Sequence, residues 1–269
     1  LLSLQPGHWA ATFEQQFGAW MVRWPRLLCL MAGMVGSRQG WEEAPYAACP
    51  ARLDDLAAQL HWLQPGRVAS VPGLRCQHEG STPAIPDVMR GEETQVFGAL
   101  ALLGLAEQAD TTLVLPGTHS KWVQVRAGQV QHFRTHMTGE CYALLRHQSL
   151  LSRGLPPQDG ELDEAGFDAG VARAQQPGGL LHHLFGVRAQ GLMGQQAEGY
   201  LASYLSGLVI GEELRAQAPP AGSRVVLIGS DALMLRYRRA LASLCIDAQL
   251  VGNDACWRGL LALAATIEA

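Results

Sequence analysis

Long apolar runs are missing from this chain. A helix that crosses a bilayer needs about 18 or more consecutive apolar residues; the stretch Leu27 to Val35 is too short and is interrupted by Gly33. No membrane role is expected. Positive charge is also scarce: 20 Lys and Arg stand against 24 Asp and Glu, a formal net charge of -4 with a pI near 6.1. General nucleic-acid binding is excluded on that ground, because it needs a concentrated basic surface. Paired cysteines are missing too. Cys29, Cys49, Cys76, Cys141, Cys245 and Cys256 include no CxxC spacing. Neither a disulfide framework nor a zinc site is expected, and reduced, mostly buried thiols fit a cytoplasmic protein. His182 and His183 are adjacent, so on a helix they project in different directions, and no spaced carboxylate accompanies them; no metal-ligating residue is assigned.

What the chain does have is core-forming material. Hydrophobic residues make up 48% and charged residues 16% of 269 positions, enough for two domains or one large one. The chain opens Leu-Leu-Ser-Leu without methionine or a signal-peptide pattern. Either residues precede Leu1, or the start lies downstream of the natural one.

Periodicity gives an outline. Residues His8 to Trp24 read as a helix with Trp9, Phe13, Phe17 and Trp20 on one face. Leu27 to Met31 reads as a strand entering the glycine turn Ala32–Ser37. Pro45 to Pro50 reads as loop, Leu53 to Leu63 as helix, Arg67 to Val71 as strand, and the segment up to Asp87 as polar loop. Glu92 to Ala106 is strongly helical. Three strands follow, Leu113–Leu115, Trp122–Val125 and Val130–His136. Then come a helix from Gly139 to Leu151, helical pieces from Leu162 to Leu184 broken at Pro177-Gly-Gly179, and a long helix from Gln195 to Ala216. A strand at Arg224–Ile228, a helix from Asp231 to Leu244, a strand at Ala248–Val251 and a last helix capped by Asp254 complete the chain. From Thr111 onward this is the order of a ribonuclease-H-like domain. Residues 27 to 107 read as the second half of the same plan.

The turn Pro116-Gly-Thr-His-Ser-Lys121 between two strands carries the clearest chemistry. Glycine admits close approach of a ligand, hydroxyls and N–H groups donate to oxyanions, and lysine adds positive charge. Gly117, Thr118, His119, Ser120 and Lys121 are therefore candidate phosphate contacts, although an ordinary hairpin turn has the same composition. Leu227-Ile-Gly-Ser-Asp231 is a strand, a glycine turn and a helix start, which makes Gly229 and Ser230 candidates for adenosine contact or for helix capping. Ser37 and Gln39 follow a glycine turn at a strand end and are candidates for a substrate pocket or for packing. Thr138 is the expected N-cap of the helix after the third strand.

Several segments together carry a more specific likeness: Met31–Ser37, Val88-Met-Arg-Gly-Glu-Glu-Thr-Gln95, Pro116–Trp122, Phe133-Arg134, Met137-Thr-Gly-Glu140, Gly154-Leu-Pro-Pro157 and Leu205-Ser-Gly-Leu208. With these the chain resembles the 2-dehydro-3-deoxygalactonokinases, sugar-acid kinases of the actin, hexokinase and Hsp70 nucleotide-cleft group. The resemblance implies an α/β protein of two ribonuclease-H-like (actin-like ATPase) domains. Residues 1–108 would be the sugar-acid side and 109–269 the side of the second phosphate loop and adenosine. It implies ATP and Mg2+, transfer of the γ-phosphate to the C6 hydroxyl of 2-dehydro-3-deoxy-D-galactonate, and a product entering galactonate catabolism as its 6-phosphate. Related sugar kinases place Gly-Asp-Gln at the helix start before the second phosphate loop. Gly91-Glu92 stands in that place here, so Glu92 is the expected base, with Glu93 second. The same two glutamates would also favour the helix dipole. Arg90 and Arg134 are the candidate contacts for the sugar-acid carboxylate. A homodimer is compatible with the resemblance. Family members open with a strand and a loop near Asp-x-Gly-Ser-Thr-Asn. That segment is missing from the sequence, so the first domain is expected to lack its N-terminal strands. The alternatives are a kinase for another 2-keto-3-deoxy sugar acid and a non-catalytic form that binds sugar acid or a partner.

Overall fold

The computed structural model describes residues 7–77, 84–105, 110–158, 160–194, 196 and 199–268. Strands and helices mix along the chain. The largest sheet has five strands, β7 (Thr111–Leu115), β8 (Ser120–Arg126), β9 (Gln129–His136), β10 (Arg224–Ile228) and β11 (Asp247–Val251), in the order β11-β10-β7-β8-β9. Contacts divide the chain into two compact units. One comprises Leu1–Leu113, Val123–Arg134 and Val251–Ala269; the other comprises Val114–Trp122 and Thr135–Leu250.

The first unit holds α1 (Trp9–Arg23), α2 (Leu53–Ala58), α3 (Glu92–Leu103) and α9 (Asp254–Glu268), with two small sheets. In one, β4 (Val68–Ser70) pairs in parallel with β1 (Cys29–Met31) and antiparallel with β3 (His61–Gln64). In the other, β5 (Gly73–Gln77) pairs in parallel with β2 (Tyr46–Ala48) and antiparallel with β6 (Pro86–Met89). Phe13 and Met21 of α1 pack with Val68 and the partly buried Leu27, Cys29, Met31, Trp41 and Leu63. Phe17 and Trp20 share the face expected for them but remain 43% and 56% exposed. Their rings lie against Phe13 and against one another rather than under other elements.

Several expectations change here. The helix expected from Leu53 to Leu63 stops at Ala58, and His61–Gln64 is a strand. The loops expected at Pro45–Pro50 and before Asp87 contain β2, β5 and the start of β6. These strands have three to five residues, and cross-strand pairing rather than propensity holds such segments extended. The expected helix end at Ala106 and helix start at Gln195 lie outside the described residues.

The second unit holds α4 (Thr138–Gln148), α5 (Glu164–Ala174), α6 (Gly179–Met193), α7 (Tyr200–Gln217) and α8 (Asp231–Ser243). Helix α7 is buried along most of its length, from Leu201 to Leu214. It lies so close to α5 that a Cβ on Gly207 would sit 2.0 Å from the Phe167 carbonyl oxygen. One core cluster joins Phe167, Val171, Ile210 and Leu214 to Val225, Leu227, Tyr237 and Leu241; a second lies around Leu205 and Leu208. This packing fixes the side of α7 that carries Glu213.

Candidate active site

In the first unit the polypeptide turns twice on glycine. Gly33, two residues beyond the β1 strand, has φ 85°, and Gly91 precedes α3 with φ 105°, both in the left-handed region that favours glycine. A Cβ on Gly91 would lie 3.1 Å from Gly33 Cα, so the two turns touch. Glu92 and Glu93 open α3 and fold back on the chain. The Arg90 amide donates to Glu92 Oε2 at 3.0 Å, and the Gly91 amide donates to Glu93 Oε2 at 2.6 Å. Both glutamates thus hold the residues before the helix, and the charge of Glu92 also favours its dipole. Their surroundings differ. Glu92 is half-buried, whereas Glu93 is fully buried. Burial, with the Glu92 charge adding to it, pushes the Glu93 carboxyl up to about 8. Glu93 therefore holds its proton at neutral pH, while its Oε1 has no hydrogen-bond partner among the described residues.

Arg90 anchors through one edge of its guanidinium. Nη2 donates to the Ala44 carbonyl at 2.8 Å, and the group lies 4.2 Å from the Tyr46 ring centroid, a cation–π distance. Among the described residues Nε and Nη1 are buried and without partners, as is Ser70 Oγ. A Cβ on Gly36 would meet Ser70 Oγ at 2.4 Å and Arg90 Nη1 at 3.2 Å, so these polar atoms converge beside Gly36. Ser37 and Gln39 are near in sequence, but the Ser37 hydroxyl donates to Met34 O at 2.8 Å and Gln39 is exposed. Arg134 is exposed on β9.

In the second unit the turn Pro116–His119 joins β7 to β8. Strand β8 begins at Ser120, two residues before the expected Trp122. Alternation along a strand then puts Ser120 and Trp122 on the same face, and both reach Glu213 of α7. Ser120 Oγ and Trp122 Nε1 each donate to Glu213 Oε1 at 2.7 Å. Tyr237 OH donates to Glu213 Oε2 at 2.7 Å, and the Thr138 hydroxyl donates to the same oxygen. Burial and the Glu213 charge raise the Tyr237 hydroxyl well above its ordinary range. Hydrogen bonds to a charged group contribute about 1.5–3 kcal/mol each. Four of them offset the several kcal/mol that burying a carboxylate costs.

One expectation is corrected here, and two further residues have surroundings that the sequence did not show. Ser120 is fully buried, and its hydroxyl is directed to Glu213 rather than to a ligand. Lys121 is 4% exposed, and its Nζ donates to the His119 carbonyl at 3.4 Å. Thr138 is the first residue of α4 rather than its N-cap, a position held by Met137. Thr118 and His119 are exposed, and His119 Nε2 lies 2.6 Å from Glu140 Oε2. The start of α4 presses on the turn. The Glu140 amide donates to Thr118 O at 3.0 Å, and a Cβ on Gly139 would stand 2.4 Å from Gly117 O. Gly229 is near Pro116, its hypothetical Cβ 3.5 Å from the Pro116 carbonyl oxygen. Ser230 occupies the N-cap position of α8 with no side-chain cap bond. The structure thus gathers Gly117, Thr118, His119, Gly229 and Ser230 around one turn flanked by two helix starts. Helix N-termini favour anions.

A family profile described as 2-keto-3-deoxy-galactonokinase matches residues 1–263. The chain belongs to this family. It is 37% identical over 231 residues to the 2-dehydro-3-deoxygalactonokinase of Escherichia coli (strain K12), covering 85% of this chain and 75% of that one. It is 36% identical over 247 residues to a protein of Rhizobium meliloti (strain 1021) named "Probable 2-dehydro-3-deoxygalactonokinase DgoK1", covering 90% and 78%. A crystal structure of a candidate 2-dehydro-3-deoxygalactonokinase from Sinorhizobium meliloti matches 96% of this chain and 85% of its own. Its TM-score is 0.85 at 34% identity. The resemblance carried by the sequence motifs is therefore borne out at the level of family. No helix among the described residues is long and apolar enough to cross a membrane. Glu213, Ser70 and Gly139 were not singled out from the sequence as site residues.

Proposed function

We propose that this chain is a sugar-acid kinase that transfers the γ-phosphoryl group of ATP to the C6 hydroxyl of 2-dehydro-3-deoxy-D-galactonate. The observation that carries the reaction is family membership over residues 1–263; the geometry supports the roles of individual residues. An actin-like pair of ribonuclease-H-like domains is proposed as the architecture, with residues 1–108 on the sugar-acid side and 109–269 on the phosphate and adenosine side.

Arg90 receives the sugar-acid carboxylate through the buried N–H groups of Nε and Nη1, which lack partners among the described residues and offer it charge-assisted hydrogen bonds. Glu92 accepts the C6 hydroxyl proton as the new O–P bond forms. Glu93 is the weaker candidate base, because a carboxyl raised to about 8 still carries its proton at neutral pH. Ser37, Gln39 and Arg134 stay as outlying substrate candidates. The ATP phosphates rest on the Gly117–His119 turn, and Gly229 and Ser230 face the nucleoside. Magnesium is proposed as the counter-ion of ATP. Among the described residues no three of His, Cys, Asp and Glu cluster to hold a cation, so no protein ligands are assigned and no step runs through the ion.

The test is ADP release by the purified chain with 2-dehydro-3-deoxy-D-galactonate and, in parallel, its gluconate epimer, with mass spectrometry locating the phosphate. Sugar-dependent turnover with the galactonate form preferred is expected. Preference for the epimer would reassign the substrate, and no sugar-dependent turnover would remove the kinase reading.

A further inference from the structure

We infer that Glu213 is a positioning residue for ATP: from inside the second unit it ties the strand leaving the turn on which the phosphates rest to the helix start packed on that turn. The inference deepens the proposed function and rests on its assignment of the Gly117–His119 turn.

Glu213 lies on the buried side of α7 with Ile210 and Leu214, and is 3% exposed. Its two oxygens divide the work. Oε1 accepts from Ser120 and Trp122 on β8, and Oε2 accepts from Thr138 on α4 and Tyr237 on α8. Ser120 is the residue that ends the turn, immediately after His119. Thr138 opens the helix whose next two residues touch the turn backbone, Gly139 against Gly117 O and Glu140 against Thr118 O. One carboxylate therefore ties the strand leaving the turn to the helix start that presses on it. Glu213 itself does not reach the exposed face of the turn, so it acts through Ser120 and Thr138. Its bond to Tyr237 serves a different element and gives an internal control.

Replacement by glutamine keeps the volume but removes one acceptor pair. The amide oxygen can still serve Ser120 and Trp122, because the indole N–H can only donate. The amide NH2 then faces Thr138 and Tyr237, whose hydroxyls must rotate to accept. The variant is expected to fold with the tie to α4 altered.

The experiment measures KM for ATP, KM for the sugar acid and thermal midpoint in Glu213→Gln, Ser120→Ala, Thr138→Val and Tyr237→Phe. In Glu213→Gln, KM for ATP should rise roughly tenfold and KM for the sugar acid should stay within about twofold. Ser120→Ala and Thr138→Val should move in the same direction by roughly threefold or more. Tyr237→Phe should lower the thermal midpoint as Ser120→Ala does, yet leave KM for ATP within about twofold. If Glu213→Gln does not fold, the Ser120 and Thr138 variants decide. An unchanged KM for ATP in the variants overturns the inference, and so does a KM for ATP that tracks the thermal midpoint across all of them. Equilibrium binding of a fluorescent ATP analogue separates the two claims. Without turnover in the parent chain the kinase reading fails, while weaker nucleotide binding in Glu213→Gln still supports the role of Glu213 and equal binding overturns it.

Discussion

Around Arg90, four buried polar atoms lack a partner among the described residues: Arg90 Nε and Nη1, Ser70 Oγ and Glu93 Oε1. Around Glu213, one buried carboxylate accepts from four donors. An unmatched buried polar group costs about 1–3 kcal/mol, so the first arrangement stores a cost that a ligand of the right chemistry can relieve. The second arrangement is saturated and has nothing left to offer a ligand. Buried polarity thus does two jobs in the same chain. Left open, it is proposed to mark a place for binding; closed on itself, it holds the turn proposed for the phosphates in shape.

The largest effect is expected where the open arrangement meets the reaction. Glu92→Gln should lower kcat roughly 10²–10⁴-fold, the usual contribution of a positioned base, with the thermal midpoint little changed. Steady-state kinetics on the proposed substrates checks this. Equal loss in Glu93→Gln would show that the two carboxylates act as one group and that the contrast between them is wrong.

Glu93 should reveal itself through stability instead. Below its ordinary value of 4.5, folded and unfolded chains both carry the proton. Between 4.5 and about 8 the unfolded chain has lost it and the folded chain has not, so stability falls as pH rises through that window and levels off above it. The cost is on the order of a few kcal/mol. Glu93→Gln cannot ionise and should be free of this slope. Calorimetric midpoints at pH 5 and pH 8 should therefore draw apart in the parent chain more than in the variant. Equal slopes would mean that Glu93 is ionised when folded, and that its Oε1 is not a true vacancy in the hydrogen bonding.

The sequence told the two regions apart only in part. The turn at Pro116–Lys121 and the helix at Glu92 are legible because glycine, proline and first-turn acids leave strong local marks. What those marks omit is direction. Ser120 reads as a ligand hydroxyl until the strand is known to start there, and alternation then sends it inward with Trp122. Glu213 has a faint signal: Glu212 pairs with Arg215 three residues on, at 3.0 Å on the outside of α7, which leaves its neighbour turned toward the core. The short strands Tyr46–Ala48, Gly73–Gln77 and Pro86–Met89 are illegible for another reason. They start at or next to proline or glycine and are held by partners distant in sequence.

A smaller effect is expected at the anchor of the open arrangement. Arg90→Lys keeps the charge and loses the planar guanidinium with its fixed donors, so KM for the sugar acid should rise roughly 10–100-fold with KM for ATP unchanged. Varying each substrate at saturation of the other checks this. A rise in KM for ATP instead would move Arg90 out of the sugar-acid pocket.

The smallest effect probes the saturated side from its rim. Gly139 has no left-handed backbone requirement, so an alanine there meets a problem of space alone. Its Cβ would stand 2.4 Å from Gly117 O and 2.8 Å from Thr118 Cα, both backbone atoms that no rotamer can move. Either the start of α4 or the turn must shift by several tenths of an ångström, and the Glu140 amide bond to Thr118 O, 3.0 Å long, must stretch with it. The buried ties from Glu213 to Ser120 and Thr138 resist that shift from below, which keeps the displacement local. Gly139→Ala should therefore raise KM for ATP roughly fivefold, a little under the tenfold that 1.4 kcal/mol produces, and leave KM for the sugar acid alone. Combined with Glu213→Gln, the loss should exceed the sum of the two single effects in free energy, because the resisting tie is gone. An additive double variant would mean that the rim and the buried carboxylate hold the turn independently.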